Sequence, residues 1–224
     1  MSELVGLVAR ARERAEEFAG QVGVNICDAA SNARRPIKNL SRILWRLART
    51  RDPKQGRDHL AELRYVNLFA WADLEVTVEP YGKKGPDIGV AANGRRGIIE
   101  VTRFRPVNSS LVELDDGGLT LPTYGDVGRD VRKVVDKISS KLGQLPRAPA
   151  AVAIWNDDGV LEEIEVRQAG LNLQRCDRRI SGNLSMIIYG SPVGGPNLPP
   201  FLCFAMRDRL PPLFGELKRR IAVD

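Results

Sequence analysis

Asn93-Gly94 is the dipeptide that most limits how this chain folds. It stands between two runs of strand-forming residues. Asn-Gly in that setting is the strongest short-range signal for a two-residue hairpin turn, because both central positions need positive φ. Folding about it sets Ala92 against Arg95, Ala91 against Arg96, Val90 against Gly97, Gly89 against Ile98 and Ile88 against Ile99. One step further out, Asp87 faces Glu100. Side chains alternate along a strand, so Thr102 shares the face of Glu100 while Val101 and Arg103 point away. Two carboxylates directly opposite each other repel unless one is protonated or a cation lies between them. The hairpin therefore predicts a hard-metal site built from oxygen ligands. A bulge at Gly97 would shift the register by one residue and part the pair.

Around the hairpin, helical and strand patterns alternate. Apolar residues at helical spacing predict a helix over 3–20, closed by Gly20 and Gly23. A second helix is expected over 37–50, with Pro36 in its first turn. Pro53 and Gly56 mark 50–56 as a hinge, so residues 1–56 read as a basic helical arm and 57–224 as the main domain. There, a helix over 58–72 precedes a strand at 74–78, a turn at 80–85 and the hairpin. A polar stretch at 105–125 reads as a loop beside the site, and 126–145 as a helix with a clear 3.6-residue apolar repeat. A buried strand follows at 150–155, then a helix over 162–174, strands at 184–189 and 201–206, and a closing helix over 213–221. This alternation predicts a three-layer α/β domain.

Pro86-Asp87, twelve intervening residues and then Glu100-Val101-Thr102 resembles the signature of the PD-(D/E)XK nucleases. The apolar lead-in Gly97-Ile98-Ile99 fits as well, and the resemblance covers residues 57–155. It implies a restriction-endonuclease-like core of helix, three-stranded meander, helix and strand, here with an N-terminal helical extension. It implies a metal-dependent nuclease using Mg²⁺ or Mn²⁺, with Asp87, Glu100 and the carbonyl of Val101 as oxygen ligands. An acidic residue on the preceding helix often assists in the family, and Glu62 matches it. The chain departs from the motif in one place: the usual lysine two residues after the glutamate is Thr102. Its hydroxyl can bond a water but supplies no charge. Lys133, Lys137 and Lys141 recur every four residues on the following helix, with Gln144 beyond. Lysines migrated to this helix occur in the family, so Lys137 is the first candidate for the missing cation and Lys141 the second. Lys83 and Lys84 are candidates for phosphate contacts. The missing lysine also supports an alternative, a nuclease fold without catalysis that serves as a nucleic-acid-binding or assembly module.

Charge bears on the partner. The net charge is +6, and residues 1–60 carry twelve Arg and Lys against seven Asp and Glu. That surplus suits a polyanion such as nucleic acid, and the nuclease resemblance implies DNA ahead of RNA. Lys38, Arg42, Arg46 and Arg49 are spaced for one basic helix face suited to phosphate-backbone contacts, with Lys141 a further contact. Trp45 among them either packs on the domain, the commoner use, or stacks on a base. The first helix docks on the domain or makes a dimer seam, and cutting both strands of a duplex favours a homodimer. A single histidine, His59, fits neither histidine-rich zinc sites nor most Ser-His or Cys-His catalysis. Three scattered cysteines read as reduced thiols in a cytoplasmic protein, and no run is long enough to span a membrane.

Overall fold

The computed structural model describes residues 2–82, 85–104, 127–142, 145, 149–156, 161, 163–176, 184–191, 201–207 and 209–221. Positive φ at Asn93 (52°) and Gly94 (73°) turns the chain between β2 (Ile88–Ala92) and β3 (Arg95–Phe104). The pairs run from Ala92 with Arg95 to Ile88 with Ile99, the register the dipeptide predicts, and Gly97 lies in it without a bulge. Its lack of a side chain serves packing: a Cβ there would lie 2.9 Å from a Leu213 methyl carbon.

Together with β1 (Glu75–Val78), β4 (Ala150–Asn156), β5 (Leu184–Gly190) and β6 (Phe201–Ala205), these strands form one six-stranded mixed sheet in chain order. The first three make an antiparallel meander. β4 and β5 join in parallel, and β6 returns antiparallel. Parallel neighbours need a crossover, supplied by α4 (Val127–Leu142) before β4 and α5 (Glu163–Cys176) before β5. Both crossovers pack on one face, over Ile98, Val152, Ile154 and Ile187. On the other face lie α1 (Ser2–Ser31), α2 (Leu40–Arg49), α3 (Pro53–Trp71) and α6 (Pro212–Ile221), over Ile99, Ala151, Ala153 and Ile188. Strand β4 is buried along its whole length because helices cover both its faces. The result is a mixed α/β protein with helices on both sides of the sheet.

The first helix breaks at Gly20, as expected, with φ 57° and ψ −149°, a conformation open to glycine, and α1 doubles back there into a second helical segment. Its second segment lies antiparallel on the first: Arg12 pairs with Asp28 at 3.1 Å, and the Cys27 thiol lies 3.9 Å from the Ala11 carbonyl. Gly23 is a contact residue rather than a breaker, since a Cβ there would lie 2.1 Å from the Ala15 carbonyl oxygen. α2 starts at Leu40 rather than 37 because the Lys38 backbone exchanges hydrogen bonds with Val76 and Val78 on the edge of β1. Asn39 then turns the chain at φ 60°, its amide donating to the Val78 carbonyl at 3.1 Å.

The stretch 50–56, expected as a hinge, instead opens α3. The Asp52 side chain accepts from the Lys54 N–H at 2.9 Å, and Pro53 occupies the first helical position. The boundary expected at residue 56 therefore falls inside α3. Gly56 receives the Phe18 ring, which would meet a Cβ there at 2.2 Å. Ala11, Ala15, Ile43, Leu44 and Leu47 share one apolar core with Tyr65, Phe69 and Val76. Cys27 and Cys203 are buried free thiols, and no described helix is long and apolar enough to cross a membrane. The loop expected over 105–125, with Lys83, Lys84 and Gln144, lies outside the described residues.

Candidate functional site

Strand β2 begins at Ile88, whereas β3 runs on to Phe104, so the sheet opens just past the Ile88–Ile99 pair. Asp87 sits at that opening. Its carbonyl accepts from the Glu79 N–H at 2.7 Å, and its carboxylate accepts from the Val101 N–H at 2.8 Å. Where the ladder between the strands stops, the Asp87 side chain takes over. Glu100, one residue before Val101, is buried at 2% exposure on the α4 side. Lys141 reaches it from α4 with Nζ 2.6 Å from Oε1, and Oε2 is buried with no hydrogen-bond partner.

A cleft of about 380 Å³ runs through this opening. α3 contributes Gln55, Asp58, His59 and Glu62 to one wall, and α4 contributes Lys137 and Lys141 to the other. Asp87 and residues 101–103 of β3 lie between them. Glu62 bonds the Arg46 guanidinium and lies 3.6 Å from His59 Nδ1. Arg46 also approaches Glu79 at 3.4 Å, and Arg42 reaches the same carboxylate at 3.6 Å. Glu79 is buried and held at φ 47°. It therefore links the α2 arginines to the backbone that fixes Asp87.

These contacts set the electrostatics. Burial, reinforced by the charges of Glu62 and Glu100, pushes the Asp87 carboxyl up to about 8, against the Val101 N–H and Lys141, which favour its ionised form. Burial and the charge of Glu62 also raise Glu100, although the Lys141 bond and charge and the Asp87 backbone N–H oppose them. For Lys141, burial alone would lower the ammonium. The hydrogen bond to Glu100 and the charges of Glu100, Asp87 and Glu62 outweigh it and raise the group. Two neighbouring carboxylates thus share the charge of one ammonium, Lys141, an arrangement that a second positive charge would relieve.

Asp87 and Glu100 are hard oxygen donors, and the unpartnered Glu100 Oε2 fits a divalent cation. Magnesium binds through one or two carboxylates and keeps its waters. Among the described residues no three His, Cys, Asp or Glu side chains close into a cage.

The predicted residues fall in different places. Asp87, Thr102, Lys137, Lys141 and Glu62 line the cleft with the Val101 segment, and Glu100 lies buried beneath it. Lys137 donates to the Arg103 carbonyl, whereas Lys141 is the lysine that bonds a motif carboxylate. On α2, Arg42 and Arg46 turn toward Glu79 and Glu62 and Arg49 lies over the Trp45 ring, while Lys38, ahead of the helix, lies 3.9 Å from Glu75. Three cleft participants were missed in the sequence. Arg103 points to the α3 face, as alternation requires, yet it lines the cleft and bonds Asp58 at 2.7 Å. Glu79 carries no sequence signal. His59 had one, a position three residues before Glu62 on the same helix. No protein-family model, curated protein or solved structure matches this chain.

Proposed function

We propose that this chain is a divalent-metal-dependent nuclease of the PD-(D/E)XK type that hydrolyses phosphodiester bonds, with DNA as the first substrate and RNA as the second. The order α3, three-stranded meander, α4, β4 supports a restriction-endonuclease-like core. The observation that carries the reading is Glu100: one oxygen on Lys141, the other buried and bare, beside an Asp87 locked to the next residue of the same strand. Mg²⁺ or Mn²⁺, when bound, makes a water nucleophilic near neutral pH and offsets charge on the phosphate and leaving oxygen.

In this reading Asp87, Glu100 and the Val101 carbonyl hold the metal. The Val101 N–H keeps the Asp87 carboxylate oriented without drawing on its second oxygen. Lys141 supplies the positive charge that Thr102 lacks, and it enters from the helix instead of from the strand. The Thr102 hydroxyl orients a water on the same face, and Lys137 lines the path of the phosphate. Glu62, held by Arg46, keeps a third negative charge at the cleft wall and so favours a cation there.

The test is cleavage of supercoiled plasmid and of single-stranded oligonucleotides with Mg²⁺ or Mn²⁺. Asp87→Ala and Glu100→Ala should abolish it, and Lys141→Ala should slow it by about 10²-fold or more, as loss of a group that stabilises developing charge does. No cleavage by any form, with wild type and variants binding DNA alike, would transfer the reading to the inactive binding module. The direct Lys141–Glu100 pair also suits that module, because an ammonium there stands where a metal would.

A further inference from the structure

Trp45 is not needed by the core of α2 and is not used by the cleft. Ile43, Leu44 and Leu47 anchor the helix and are fully buried, whereas Trp45 is 44% exposed. Part of its surface is therefore covered and part stays open. Arg49, one turn on and itself exposed, holds its guanidinium 4.2 Å from the centre of the indole ring. The pair forms a stacked cation–π platform on the surface. Its neighbours are as informative. Arg46, next to Trp45, pairs with Glu62 of the cleft wall, so the helix that carries the platform is tied to the α3 wall of the cleft. Residues 40–57 hold six Arg and Lys and a single acid, Asp52, whose side chain is bonded to the Lys54 N–H. Exposed Arg51 and Lys54 carry the positive charge from the end of α2 to Gln55, which lines the cleft.

We infer that α2 is a docking platform for a single nucleic-acid strand: an unpaired base stacks on Trp45 and Arg49, Arg51 and Lys54 take the adjacent phosphates, and the strand runs on into the cleft. This deepens the nuclease reading and rests on it for the destination of the strand. The chemistry selects an unpaired base because stacking needs an open π face, which duplex bases give to their neighbours. Base–aromatic stacking is tolerant of sequence, so the platform selects strandedness rather than sequence.

The test reads binding, in EDTA, by fluorescence anisotropy of a labelled oligothymidylate and of a duplex of equal length. Trp45→Ala should weaken single-strand binding about tenfold, at the low end of what one stacked base contributes. Trp45→Phe should restore most of it, and duplex binding should change less than twofold. Arg51→Gln with Lys54→Gln should flatten the salt dependence for the single strand. Equal losses for both nucleic acids, or none in Trp45→Ala, would overturn the platform. So would equally tight binding of poly-glutamate, which would mark a surface for acidic protein. Both Trp45 variants leave buried side chains intact, and matching thermal melts establish that they are folded. Because no metal is present, a protein that never cleaves yet needs Trp45 for single strands loses only the nuclease reading. One that cleaves yet ignores Trp45 loses only the platform.

Discussion

Asp87→Asn in the metal-free protein tests the electrostatics of the cleft most directly. Burial and the charges of Glu62 and Glu100 raise the Asp87 carboxyl from 3.8 to about 8. An acid raised on folding contributes stability that is fully present below its unfolded value, near pH 4, and is lost as pH climbs through about 8. At 1.36 kcal/mol per pH unit, the full span comes to roughly 6 kcal/mol. Partial solvent contact at Asp87, and the effective dielectric of such a cleft, reduce the expected effect to about 2–3 kcal/mol. Asparagine keeps an oxygen for the Val101 N–H, which lies 2.8 Å from the carboxylate, and carries no charge.

In EDTA the variant should match wild type at pH 4 and exceed it by about 2–3 kcal/mol at pH 9, or roughly 4–12 °C in Tm for a chain of this size. Added Mg²⁺ or Mn²⁺ should narrow the gap at pH 8 by stabilising wild type alone. Differential scanning calorimetry across pH 4–9, with and without metal, reads both effects. A wild type whose Tm stays level from pH 6 to 9, with Asp87→Asn less stable throughout, would refute the idea that burial and the neighbouring carboxylates disfavour the ionised Asp87.

Three further experiments probe the surroundings. Lys141→Met strands Glu100 in the interior and should cost about 3 kcal/mol at pH 7, most of it recovered in the double variant with Glu100→Gln. Urea unfolding of the four proteins gives the coupling, and additive effects would contradict the pairing. Arg46→Ala uncovers both Glu62 and Glu79 and should lose about 2–3 kcal/mol, with Arg46→Lys recovering less than half because one ammonium does not span two carboxylates. Thermal melts decide it, and full rescue by lysine would mean that charge alone matters. Gly23→Ala would set a Cβ against the Ala15 carbonyl oxygen and should cost at least about 2 kcal/mol, whereas Gly215→Ala, in open space on α6, should gain about 0.5–1 kcal/mol. If both were neutral under chemical denaturation, the close approach within α1 would be disproved.

The parts of this fold that were legible in the sequence are those set by local backbone chemistry. Asn93-Gly94 demands two positive φ values, and a two-residue turn leaves one register, so the pairing out to Ile88–Ile99 followed, whereas the ladder stops before Asp87, whose carboxylate bonds the Val101 N–H beside Glu100. The 3.6-residue repeat of α4 was equally plain. What stayed illegible depends on where one element lies against another. The lysine row of α4 offers a cation at successive turns, and only the helix's position along β3 decides that Lys141 meets Glu100 while Lys137 meets a backbone carbonyl. The basic face of α2 was visible, but not its carboxylate partners, because Glu62 and Glu79 come from later elements. Pro53 and Gly56 read as a hinge because both residue types interrupt a helix interior. At the first turn, behind the Asp52 cap, the proline starts a helix instead.

A site of this kind is constrained by charge in space more than by order in sequence. Two carboxylates brought together by a hairpin need positive charge within a few ångströms, and a strand position two residues after the glutamate is only one way to provide it. Thr102 leaves that position neutral, and Lys141 brings an ammonium to 2.6 Å from the same glutamate, 41 residues later in the chain. The substitution also changes what the cation does. A lysine on the strand would move with the carboxylates, whereas one on α4 ties the helix to the sheet, so removing it should loosen the docking of α4 as well as uncover the charge. Hydrogen exchange on α4 separates the two effects. In Lys141→Met combined with Glu100→Gln, the charges are balanced, and amides of α4 that still exchange faster than in wild type would show that the ion pair holds the helix in place.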